Sequence, residues 1–286
     1  MEFAPPDPTS LSQFYFFLAQ LLSFSEAELY ALFGVFIRVG AVVGLLPGFG
    51  ERMISIRIRL VAAIAFTVVV WPVVMDAAVV AMSEVAATTP ISSSTVAPIG
   101  LASFFLAETA VGLSLGIAIR FFVFALQLAG SMAAQATAVA QVFGGGGMPD
   151  PMPAIGNFLT IGGIAVALAA GLHIKAVTAM ITSYQVLPFG VFPIAGDLAE
   201  WGVRRASQAF ELAFTLAAPF VVASLVYNVA LGAINRAMPQ LMVAFVGAPA
   251  ITAGALFFLF LAGPVGLLHW SGALDLALAM PFGTLP

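Results

Sequence analysis

Phe143-Gly144-Gly145-Gly146-Gly147-Met148-Pro149-Asp150-Pro151-Met152-Pro153 separates two strongly apolar stretches of the chain. Four consecutive glycines followed by three closely spaced prolines cannot continue a helix. In lipid, backbone released from a helix leaves N–H and C=O groups unpaired, at several kcal/mol each. The segment therefore either reaches water at a membrane surface or is enclosed by protein, where it can line an aqueous passage. In the first case it is a loop, in the second a gate.

The surrounding composition calls for a membrane. Of 286 residues, 62% are apolar and 8% charged, against roughly 45–50% and about 25% in a soluble domain. The expected fold is all-α, an integral membrane protein with one membrane domain over residues 1–286. Thirteen acids against nine bases are spread along the chain, and no basic cluster supports nucleic-acid binding. With no cysteine there is neither a disulfide framework nor thiolate chemistry. The opening residues Met1-Glu2-Phe3-Ala4-Pro5-Pro6-Asp7-Pro8 lack the positive n-region of a secretory signal, so the first apolar segment is expected to be retained.

A helix crossing a hydrocarbon core of about 30 Å needs about 20 apolar residues. Candidate segments run over 11–22, 30–46, 60–82, 99–129, 132–143, 154–172, 176–194, 210–231 and 241–268. Several are short, and Pro72, Pro219, Pro249 and Pro264 interrupt others. That pattern predicts kinked helical hairpins packed on one another. The Ser/Thr/Pro stretch 83–98 reads as an exposed loop. Two connections are basic: 48–59 carries Arg52, Arg57 and Arg59, and 196–207 carries Arg204 and Arg205. The positive-inside rule places both in the cytoplasm. Simple alternation of spans instead puts them on opposite sides, so the serpentine of six spans that hydropathy invites contradicts its own charges.

Catalysis finds no support. The glycine tract lacks the Lys-Ser/Thr of a phosphate loop and the spacing of a dinucleotide fingerprint. Ser92-Ser93-Ser94 has no nearby base, no HExxH occurs, and His173 and His269 are too far apart for a spaced ligand set. No catalytic residue, cofactor or metal is expected, and energy for any work must come from a partner or the membrane gradient.

The informative residues are charges embedded in apolar sequence, because such groups are costly and face partners or water. Arg38 lies inside the 30–46 segment, and Glu108, Gly112, Gly116 and Arg120 recur every four residues. On a helix that spacing forms a slowly winding stripe with bare backbone in the middle and opposite charges at its ends. Small residues four apart let another helix approach closely, and the charges are then expected to meet polar groups on that neighbour. Asn228, Gly232, Asn235, Arg236, Pro239 and Gln240 form a second polar block. Arg236 there marks either the cytoplasmic end of a span or a seam that docks another subunit. His173 and Lys175 read as interfacial anchors.

At these residues the chain resembles the FliR family of flagellar export-gate proteins and its virulence-secretion counterpart, SctT. The resemblance runs through Arg38-Val39-Gly40, Leu46-Pro47, the Arg52 to Arg59 cluster and Trp71-Pro72. It continues through Glu108, Gly112 and Gly116, then Gly130, the 143–153 linker and Gly171-Leu172-His173. Ser183 to Leu187-Pro188 and Gly190 follow, then Asn228, Leu231-Gly232, Arg236 and Pro239-Gln240, and Val246-Gly247 with Pro249. In the linker the match is by position and by Asp150-Pro151, because four glycines replace the family's usual bulky pair.

The resemblance implies a non-enzymatic subunit of the bacterial inner membrane at the flagellar basal body. It would assemble with FliP- and FliQ-like subunits into an export gate of kinked hairpins stacked out of the bilayer plane. An FlhB-like protein would associate with it. Unfolded export substrates would pass through the centre, driven by the proton-motive force and a separate ATPase. The 143–153 linker corresponds to a plug: Gly144, Gly145, Gly146 and Gly147 yield to a passing polypeptide, and Phe143, Met148 and Met152 suit a dry seal. Pro149, Asp150 and Pro151 complete that loop. The plain alternative is a connector without a gating role. At the level of the whole protein, the alternatives are a virulence injectisome subunit, a small-solute transporter or a scaffold without its own conduit.

Overall fold

A computed structural model of the protein describes residues 25–51, 54–88, 97–142, 154–238 and 243–283. Every regular element among them is a helix: α1 Glu26–Leu45, α2 Ile56–Thr88, α3 Ala97–Val142, α4 Ala154–Ala169, α5 Leu172–Val186, α6 Ala195–Ala237 and α7 Val243–Ala279. Five of them are long and apolar enough to cross a membrane, and the bent pair α4–α5 can supply a sixth span. The chain is an all-α membrane protein.

Helix α1 begins at a capping box. The Ser25 hydroxyl accepts the Glu28 backbone N–H, and the Glu28 carboxylate accepts the Ser25 N–H at 2.6 Å. Two otherwise orphaned donors are satisfied together. The helix stops at Leu46 because the residue before a proline is pushed out of helical geometry. Gly48, at φ +87°, then takes a left-handed turn closed to most side chains. Helix α2 then packs back against α1. Helix α3 is the centre of the molecule, packing on α1, α4, α6 and α7.

The layout of the helices differs from the expected segments at several places. Residues 99–129 and 132–143 were expected apart, yet Ala97–Val142 is one helix of 46 residues. Gly130 does not break it: a Cβ there would fall on the backbone of Gly156, so the glycine serves a close crossing of α3 with α4. The loop expected at 83–98 is shorter, because α2 continues to Thr88 and α3 begins at Ala97. Pro72 and Pro219 lie inside continuous helices. A proline removes one hydrogen bond, and helical turns on both sides carry the segment across it. A sharp bend occurs at Gly171, φ +79°, where α4 and α5 meet at 74°.

The conflict between the two basic connections also resolves. Arg120 holds Glu51 of the first connection; residues 196–207, expected as a second connection, are the start of α6, whose Ala206, Ala209 and Phe210 share a groove with Phe121, Phe124 and Leu128. Both basic segments therefore meet α3 within residues 120–128, about 12 Å of helix. The alternation argument had counted residues 99–129 and 132–143 as two spans, where the structure has the single helix α3. Helices of 46 and 43 residues extend about 69 and 65 Å, more than twice a hydrocarbon core of about 30 Å.

Candidate functional site

The buried positions of α1 include Ala31, Gly34, Val35, Arg38, Val39 and Val42, a helical spacing that carries Arg38 into the middle of the buried stripe. It meets Glu108 of α3. The Arg38 Nε donates to Glu108 Oε2 at 2.7 Å and Nη2 donates to Oε1 at 3.0 Å. Arg38 is 1% exposed and Glu108 is fully buried, so this forked pair is sealed from solvent within the chain. Ion pairs at such depth persist only where the remaining donors and acceptors are also satisfied.

They are satisfied here by one turn of chain. Arg38 Nη1 donates to the Leu187 carbonyl at 3.1 Å and to the Ser183 hydroxyl at 3.3 Å. The backbone N–H of Gly190 donates to Glu108 Oε1 at 2.9 Å. The guanidinium carbon lies 3.9 Å from the centre of the Tyr184 ring, which stacks on Phe189 with centroids 4.1 Å apart. Gly190 has φ +69°, and the edge of Phe104 lies where its Cβ would be. Gly34 faces the other side of the same ring. A polar knot thus ties α1, α3, the end of α5 and the 187–190 turn together.

Along α3 the stripe of four-residue steps meets α1 throughout. A Cβ at Gly112 would lie 2.5 Å from the Arg38 carbonyl oxygen and 2.9 Å from the Ala41 Cβ. One at Gly116 would lie 2.8 Å from Leu45. At the far end Arg120 donates to both Glu51 oxygens, at 2.6 and 3.4 Å, while Arg59 donates to the Glu51 carbonyl. Glu108, Gly112, Gly116 and Arg120 form a single helix contact with an ion pair at each end.

The second polar block lies elsewhere. In α6, Asn228 is half-buried while Gly232, Asn235 and Arg236 are exposed, and among the described residues nothing lies within 4 Å of a Cβ built at Gly232. The last four turns of α6 are largely uncovered by the rest of the chain, with Leu225, Val226 and Val229 all more than 60% exposed. Gln240 and the loop of residues 143–153 lie outside the described residues. Lys175 pairs with Asp275 of α7 at 2.6 Å, and His173 is exposed. Among the described residues no group of three or more His, Asp or Glu side chains converges as a metal site requires.

Sequence reasoning singled out Arg38 and Glu108 but assigned no role to Ser183, Tyr184, Leu187 and Glu51. A backbone carbonyl leaves no mark in composition, and Glu51 lies outside the apolar runs in which an embedded charge stands out. The signal available was positional: residues 183–190 belong to the stretch that carried the family resemblance.

Residues 29–277 match the family described as bacterial export proteins, family 1. The chain belongs to that family. Relatives span most of its length. A flagellar biosynthetic protein FliR of Caulobacter vibrioides is 31% identical over 78% of this chain and 84% of its own. One of Pectobacterium carotovorum is 28% identical over 76% and 78%, and one of Aquifex aeolicus 27% over 84% and 88%. The family match contains the whole polar knot and the exposed end of α6, so both lie within the part shared with the bacterial export proteins.

Proposed function

We propose that this protein is a core subunit of the flagellar type III protein-export gate in the bacterial inner membrane. The observation that carries the reading is the family match over residues 29–277, together with relatives named for flagellar biosynthesis over most of their length. FliP- and FliQ-like subunits complete the channel, an FlhB-like protein attaches to it, and unfolded flagellar proteins are the cargo. Work of this kind needs shape and assembly rather than a reacting group.

Two physical features support the reading. Helices of 46 and 43 residues cannot stand upright within a bilayer, whereas an assembly rising out of the membrane plane accommodates them. The outer faces of α6 and α7 are bare and apolar, with Phe257, Phe260 and Val265 all above 60% exposed, which suits neighbouring helices as well as lipid. The polar block at Asn228, Gly232 and Arg236 then docks on a partner subunit, and residues 143–153 close the channel at rest.

Extraction in mild detergent tests the assembly. The expected product is a large heteromeric complex containing FliP- and FliQ-like chains, and a stable lone monomer active in vesicles overturns the reading. For the plug, removing residues 144–147 is expected to let small ions leak across the membrane of resting cells. Unchanged permeability with normal secretion removes that assignment.

A further inference from the structure

An apolar groove of about 330 Å³ runs between α1 and α2, lined by Leu29, Leu32, Phe33, Phe36, Ile64 and Val68, with Thr67 at its floor. Nothing in the described chain fills it, and Val68 is 67% exposed. At that size it takes a few large side chains rather than a whole helix.

We infer that the groove is the docking site of this chain's own N-terminal segment, residues 11–24. The family match begins at residue 29, so this segment lies outside it. Set on a helix at about 100° per residue, Leu11, Phe14, Phe17, Leu18, Leu21 and Leu22 fall on one side. Ser12, Gln13, Gln20 and Ser23 fall on the other, with Phe16 among them. Such a segment has an apolar face to cover, yet at about 21 Å it is too short to span a core of about 30 Å.

The start of α1 says where that face goes. Ser25 is the N-cap, with ψ 156°, and the capping box fixes it. Phe24 is then the residue before the cap and Leu29 the fourth of the helix, the two positions that pack together in a hydrophobic staple and set the angle at which the chain enters. Leu29 is also the first wall residue of the groove. In the inferred arrangement a staple between them brings the preceding chain to the groove's mouth. From Leu29 to Phe36 the groove follows α1 for about 10 Å, the length of residues 15–22 as a helix running back along it.

The chain has no cysteine, so engineered pairs report without background. In native membranes carrying the full-length protein, the pairs Leu18→Cys with Ile64→Cys and Leu22→Cys with Val68→Cys are oxidised. The pair Phe16→Cys with Ile64→Cys serves as the control from the opposite face. The inference expects intramolecular disulfides at several-fold the control yield. Bimane on Leu22→Cys should likewise be quenched by Val68→Trp, which needs no oxidation. Equal yields on both faces overturn the inference, as do crosslinks that join two chains. So does quenching of bimane at Leu18→Cys by nitroxide-labelled lipid, which marks a helix lying on the bilayer surface.

Discussion

Glu51 accepts Arg120 at 2.6 Å at one end of the same helix crossing whose other end is closed by Arg38 and Glu108. The polarity reverses along it: α1 supplies the cation at one end, and the loop after α1 supplies the anion at the other. Between them Gly112 and Gly116 admit the α1 backbone. Sliding α1 along α3 separates both pairs, so the charges fix the register of a contact that small residues alone leave loose.

The inner pair should be severe to break and mild to replace. Glu108→Gln leaves the Arg38 guanidinium buried with its charge uncompensated, at about 3–5 kcal/mol. The double variant Arg38→Met, Glu108→Leu removes both charges and fills similar volume, and it should recover most of the loss. Thermal unfolding of the detergent-extracted complex reads both. A double variant no better than the single one would mean that the Ser183 and Leu187 contacts, rather than the pair, hold the site.

The outer pair should behave differently. Glu51 and Arg120 are 31% and 19% exposed, where solvent screens the attraction. A double-mutant cycle with Glu51→Ala and Arg120→Ala should give a coupling of about 0.2–1 kcal/mol that shrinks as salt is added. A coupling as large as that of the inner pair would show that the site is dry in the assembled protein.

Gly112→Ala places a methyl 2.5 Å from the Arg38 carbonyl oxygen, which is backbone and cannot swing aside. The two helices must part, at about 1–3 kcal/mol, and the Arg38–Glu108 hydrogen bonds lengthen with them. Gly44→Ala is the matched comparison, because nothing lies within 4 Å of its Cβ. There the gain in helix propensity should stabilise α1 by up to about 1 kcal/mol. Opposite signs for two Gly→Ala changes on the facing helices α3 and α1 are the expected result.

Much of this contact was legible in the sequence, and what was not has physical causes. Charged residues within apolar runs announce themselves, and four-residue spacing places Gly112 and Gly116 on their stripe. The partner of Arg38 lies 70 residues away, and only the packing of α3 against α1 brings it near. Residues 99–129 and 132–143 were set apart around Gly130, yet the helix runs through it. Gly130 is instead required by the neighbouring Gly156 backbone, and Pro72 sits within a helix long enough to carry it. The bend at Gly171 depends on a positive φ that composition does not reveal. The 143–153 run, which first distinguished this chain, lies outside the described residues, so its role rests on resemblance and on the leak experiment.

Gly190→Ala tests the turn that completes the polar knot. Its φ of +69° disfavours any L side chain, at about 1–2 kcal/mol, and the new methyl also meets Phe104 Cδ2 at 2.5 Å. The Gly190 N–H is thereby drawn away from Glu108. Adding Phe104→Leu should relieve the clash but not the backbone strain, so a partial rescue is expected in the same unfolding assay. Full rescue would assign the whole cost to the ring.

The exposed end of α6 offers the sharpest separation of stability from assembly. Among the described residues no atom lies within 4 Å of a Cβ at Gly232, so Gly232→Ala should strengthen the helix by up to about 1 kcal/mol. Gly232→Leu, on an exposed face, should leave the chain's membrane level unchanged. If the Asn228, Gly232 and Arg236 face seats a partner helix, leucine holds that helix off while alanine is tolerated. Co-purification of FliP- and FliQ-like subunits should then fall for Gly232→Leu and persist for Gly232→Ala. Recovery of the intact complex with both variants would show that lipid or water, not a subunit, covers this face.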